Sequence, residues 1–145
     1  FRSMGPSRVP ALRVSSATMS RPENPSALHI LCFVYLTFSH CTDGELAKEE
    51  LETISRVLQG WVPDAPAGAI QRVLRESAAW LNDIADDDAR LAQAEEHAHL
   101  MRQGMNAKQR QAVLVNLIEL ARADGKVTAK EEAFIARLTA ILDAT

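Results

Sequence analysis

The sequence predicts an all-α single domain of about six helices, in which two pseudo-twofold-related helix–Asp-Gly–helix repeats flank a central helical insert. Three observations predict it. Apolar residues recur at spacings near 3.6, and only the β-prone stretch Phe33 to Phe38 argues otherwise. Asp-Gly pairs at Asp43-Gly44 and Asp124-Gly125 follow two strongly apolar helical stretches. Sliding the chain against itself by 81 positions superimposes those pairs and keeps the apolar phase on both sides.

The first helix is expected from about Ser26 to His40, where Leu28, Leu31, Cys32, Tyr35, Leu36 and Phe38 leave little polar face. Asp43-Gly44 ends it, since glycine accepts the left-handed cap conformation. A second helix, about Ala47 to Gly60, turns Leu51, Ile54, Val57 and Leu58 inward, and a third runs from about Pro66 to Ile84. Asp86-Asp87-Asp88 favours the start of a fourth, about Ala89 to Arg102, because negative charge is stabilised at a helix N-terminus. Its apolar set of Leu91, Ala94, Ala98 and Met101 is thin, which predicts a peripheral position. Asn106 and Gln109 have capping-box spacing and open the fifth helix, with Val113, Leu114, Leu117, Ile118 and Ala121 inward. Thr128 and Glu131 repeat that spacing before the sixth, which carries Phe134, Ile135, Leu138, Ile141 and Leu142.

Composition narrows the function classes. With 145 residues, 47% apolar and 24% charged, the chain suits one globular core. Residues 1–25 are rich in Ser, Arg and Pro without periodicity and are set apart as a basic, flexible tail or a segment of non-native origin; residues 26–145 form the domain. The net charge is −3, and the tail contributes +3 through four arginines against Glu23, so the body carries −6. Such a body disfavours nucleic acid and favours cations or basic protein surfaces. Cys32 and Cys41 fit neither a disulfide framework nor a zinc knuckle and are read as reduced, cytosolic thiols, with Cys32 in the core. The apolar run Ala27 to Phe38 is too short to span a bilayer. No phosphate-binding glycine loop, nucleophile elbow or Cys/His nucleophile arrangement is present, so neither an enzyme nor an organic cofactor is expected.

The 81-residue register aligns Glu50 with Glu131, Ile54 with Ile135, Arg56 with Arg137, Val34 with Val115, Leu36 with Leu117 and Leu46 with Val127. The shared pattern is Asp-Gly-x-[Leu/Val]-x-x-x-Glu, and it has two readings. In one, glycine caps a helix, Leu46 or Val127 plugs the junction, and Glu131 bonds back to the Thr128 amide. That explains the second copy fully and the first less well, because Ala47 stands where the capping threonine would be. In the other, Asp43, Glu50, Asp124 and Glu131 are oxygen ligands for a divalent cation, with Ca²⁺ or Mg²⁺ ahead of Zn²⁺. If the two apolar helices run in the same sense the four carboxylates meet at one end, and if antiparallel they form two separate pairs. The pattern mimics the second half of an EF-hand loop, but Ser39, Cys41, Leu120 and Arg122 stand where its other carboxylates belong.

These residues resemble the TerB-like tellurite-resistance family, all-helical domains with two Asp-Gly-x-x-x-x-x-Glu turns around a central insert. The resemblance covers residues 26–145 and carries the family's acidic positions onto Asp43, Glu50, Asp124 and Glu131. It implies a cytoplasmic, non-enzymatic module of stress response or metal resistance, with metal binding and a membrane-associated protein partner; oligomeric state is left open. A related domain fronts a membrane-anchored DnaJ-type co-chaperone, which makes a protein-interaction module with purely capping acids the alternative. Among the histidines, His40 is expected to be solvated or to bond a helix cap, His97 and His99 to point apart, and His29 lacks a partner in sequence. Trp61 and Trp80 are expected at the core or its rim.

Overall fold

A computed structural model describes residues 26–43, 48–66, 68–123 and 127–143, with backbone only for 41–43. The N-terminal tail and both Asp-Gly turns, apart from the Asp43 backbone, fall outside that set. Six helices follow in order: α1 (Ala27–Asp43), α2 (Lys48–Trp61), α3 (Ala69–Asn82), α4 (Asp87–Gly104), α5 (Ala107–Arg122) and α6 (Ala129–Leu142). No strand occurs among the described residues, so the aromatic and β-branched run from Phe33 to Phe38 is helical. Its environment overrides its local preference.

That environment is the centre of the molecule. Residues 31–39 are all buried, and α1 packs against each of the other five helices. A helix apolar on every side has no face to give to water. Burial of Phe33, Tyr35, Leu36 and Phe38 contributes about 1.5–3 kcal/mol each. Thr37, buried among them, donates its hydroxyl to the Phe33 carbonyl at 2.8 Å, which satisfies the polar group within the helix. α1 also runs three residues past the expected stop at His40, so Asp43 belongs to its last turn.

Helices α3 and α4 close over α1. Phe33, Trp80 and His97 form a buried aromatic cluster with ring centroids 4.6, 5.0 and 5.1 Å apart. α4 is therefore no peripheral helix: it packs on both α1 and α6, with Ala94 and Ala98 fully buried. Small residues make a faint hydrophobic pattern, yet they let two backbones approach closely. His99 faces solvent while His97 is buried, as two residues on opposite sides of a helix must. His29 has a spatial partner after all: its Nε2 lies 2.8 Å from the Glu76 carboxylate and ties the start of α1 to α3. That hydrogen bond, and less so Arg72, holds the Glu76 carboxyl below its ordinary value.

Several inward assignments are corrected. Ile118 is 39% exposed, Leu51 37% and Val127 48%, and Val115 is open where its register mate Val34 is fully buried. The reason is topological. The insert packs chiefly on α1, with further contacts to α2 and α6, whereas the principal neighbours of α5 are α1, α2 and α6, which leaves the outer side of α5 bare. Leu46 lies outside the described residues.

Capping follows the sequence. Asp86 accepts the Ala89 amide at 2.8 Å, and both Asn106–Gln109 and Thr128–Glu131 form reciprocal capping boxes. α3 begins at Ala69 rather than Pro66, after Gly68 at φ +87°, a backbone angle that favours glycine. Running up α2 from Arg56 to Trp61 descends α5 from Glu119 to Asn116, so these two helices run in opposite senses where they meet.

Two outcomes are expected. Thr128→Ala should lower unfolding free energy by about 1 kcal/mol in urea titration, while Ile118→Ser stays within about 0.5 kcal/mol. A carboxyl held low in the folded state stabilises it above its unfolded value of 4.5, and that contribution is lost as pH falls through the lower folded value. Wild type should therefore lose stability relative to Glu76→Gln on acidification below about pH 4.5, measured by thermal melts.

Candidate functional site

Two regions hold chemistry-bearing side chains: the helix starts that follow the Asp-Gly turns, and a cleft between α2 and α5. At the first, Glu50 is the third residue of α2 and is 2% exposed, and Glu131 is the third residue of α6 and fully buried. Glu131 Oε1 accepts the Thr128 amide at 2.9 Å while Thr128 Oγ1 accepts the Glu131 amide at 3.1 Å, so the capping role predicted for the second copy is present. The Asp43 side chain and Asp124 lie outside the described residues. Among the described residues no three His, Cys, Asp or Glu side chains gather to hold a metal.

The surroundings of those helix starts are nonetheless specific. Phe38, near the end of α1, packs edge to face on Phe134, near the start of α6, with centroids 5.2 Å apart. Ser39 follows Phe38, one helical turn before Asp43, and its buried hydroxyl oxygen has no hydrogen-bond partner among the described residues. His40 accepts a hydrogen bond at Nε2 from Arg90 Nη1 at 3.0 Å. A guanidinium can only donate, so that nitrogen carries its lone pair towards Arg90 and is not offered to a metal. Arg90 also donates to the Leu81 carbonyl and to Asp87, which fixes the end of α1 to the α3–α4 corner.

The cleft was not anticipated. Asn116 Oδ1 accepts two hydrogen bonds, from the Tyr35 hydroxyl at 2.9 Å and from the Trp61 indole N–H at 2.8 Å. One amide thus joins α1, α2 and α5. Tyr35 and Asn116 are 81 positions apart, the same offset that aligns the two turns, and that register was the one signal that could have paired them. Burial pushes the Tyr35 hydroxyl well above its ordinary value, and it likewise pushes the Cys32 thiol up to about 12, so Cys32 is an inert core thiol rather than a nucleophile. Beside Asn116 opens a cleft of about 550 Å³, with Trp61 and Val57 on one wall, Ala112 on the other, and Arg56, Glu119 and Lys108 at its rim.

Family comparison decides the affiliation. The family described as "Tellurite resistance protein TerB" matches residues 39–145, which includes all six helices except most of α1. The chain belongs to the TerB family. No curated protein and no solved structure matches it significantly. The match starts later than the expected domain start at residue 26, yet residues 31–38 of this TerB-family chain lie in the core of the same fold. No helix among the described residues is long and apolar enough to cross a membrane.

Asn116→Ala would strip the acceptor from the buried Tyr35 hydroxyl and from the Trp61 indole. It should cost about 2 kcal/mol by denaturant titration and shift the Trp61 indole N–H resonance.

Proposed function

We propose that this TerB-family chain is a non-enzymatic, cytoplasmic module of a tellurite-resistance or stress-response system. It binds a hard divalent cation through Asp43, Glu50, Asp124 and Glu131, and it docks a protein partner. The observation that carries the cation reading is the burial of Glu50 and Glu131. A capping carboxylate does its work at a solvated helix end with one oxygen, and carrying a carboxylate out of water costs several kcal/mol that a cation offsets. The buried Ser39 hydroxyl adds an oxygen donor one turn before Asp43, and an all-oxygen set suits Ca²⁺ or Mg²⁺.

Packing supports one shared end. Phe38 on Phe134 sets the last turns of α1 against the first turns of α6, and the short connection 123–128 keeps the end of α5 there too. The ends of α1 and α5 then lie on the same side of the bundle. Cations neutralise crowded carboxylates that would otherwise raise one another's pKa. The competing reading, a protein-interaction module whose acids only cap helices, is favoured at the second copy by the closed Thr128–Glu131 box.

Calorimetric titration and thermal melts with Ca²⁺, Mg²⁺, Mn²⁺ and Zn²⁺ test this. A bound ion at a hundredfold its Kd should add about 2.7 kcal/mol of stability, and the gain should vanish in Asp43→Asn/Asp124→Asn. Silence with every ion up to millimolar leaves the capping reading.

A further inference from the structure

The cleft beside Asn116 does not stop at α2. A second depression, of about 660 Å³, lies across that helix and is lined by Glu52, Ser55, Gln59 and Pro63. Both share Arg56 and Gly60, so they meet over the C-terminal half of α2, where Gly60 presents no side chain. The result is one trough with a charge at each end. Arg56 in its middle is paired with Glu119 at 3.2 Å. Lys108 at one end and Glu52 at the other pair with nothing among the described residues. Between them lie the Trp61 ring, Val57 and Ala112, and both bonds to Asn116 use its oxygen, so its amide N–H groups have no partner among the described residues.

We propose that this trough docks a short extended segment of a partner protein with an acidic residue at the Lys108 end, a basic residue at the Glu52 end and apolar residues between. It rests on the partner-docking half of the function proposed above and is independent of the cation. Charge complementarity selects the occupant: in an otherwise acidic body, a lone cation at one end and a lone anion at the other suit a dipolar chain better than a single-sign one. Length agrees. From Lys108 to Glu119 the α5 axis rises roughly 16 Å, and the turn from Arg56 back to Glu52 adds about 6 Å. About seven extended residues span that distance. A compact small molecule would fill either depression without using both charges.

The test uses the full chain in chelator, with the heptapeptide acetyl-Glu-Ala-Leu-Ala-Leu-Ala-Lys-amide and counterparts in which Gln replaces Glu, Lys or both. Binding is followed through the Trp61 indole N–H resonance. The dipolar peptide should bind at least about fivefold more tightly than the doubly neutral one, as two partly exposed charge pairs would give. Lys108→Glu and Glu52→Lys should each abolish that preference, and the double swap should restore it, because the peptide can lie in the reverse direction. Gly60→Leu should block binding without unfolding the chain, since a Cβ there meets nothing within 4 Å and leucine is the better helix former. Equal affinity for all four peptides, no rescue by the double swap, or unimpaired binding by Gly60→Leu would overturn the trough as the dipolar site. Perturbations confined to another face would overturn this surface while leaving partner docking itself in place. Loss of cation binding would bear only on the acidic end, since chelator is present throughout.

Discussion

Everything in the fold depends on hiding α1. Nine consecutive residues, 31 through 39, are buried, and a helix with no polar face needs neighbours on every side. Two adjoining helix pairs could supply only part of that cover. The insert supplies the remainder: α3 brings Trp80, and α4 brings alanines small enough for close approach. The thin apolar pattern of α4 is thus a mark of tight packing. Its polar outer side needs no more than that stripe.

The same constraint separates what the sequence made legible from what it hid. Helix number, order and type followed from periodicity, and the two capping boxes followed from spacing because a cap is a contact between residues three apart. Burial did not follow so well. The 81-residue register aligns Val34 with Val115, yet one is sealed and the other open, because the insert packs chiefly on α1 and leaves the outer side of α5 bare. No pattern local to α5 carries that information. Arg90 is another case: on sequence it is one more charge near a helix start, and in space it joins the ends of α1 and α3 through His40 and the Leu81 carbonyl.

The acidic positions divide along the same line. Glu131 was readable as a cap, since Thr128 stands three residues before it, and the bond is there. What the pattern could not show was that Glu131 and Glu50 would be buried. Phe38 on Phe134 sets the last turns of α1 beside the first turns of α6, the helix that carries Glu131. A carboxylate chosen by a local rule is thereby placed in a non-local environment, and the two readings of the motif differ in which of these it answers to.

Asn116 shows how one side chain can unite the two halves. Its oxygen receives the hydroxyl of Tyr35 from α1 and the indole of Trp61 from α2, so the central helix, the first hairpin and the second are joined at one atom. Tyr35 and Asn116 are also aligned by the 81-residue register of the sequence. Asn116 also lines the α2–α5 cleft, and an amide oxygen committed to two donors cannot turn. A cleft lined by a fixed amide is held open by the same bonds that hold the core together. Any partner that enters it meets a preorganised surface rather than one it must first arrange.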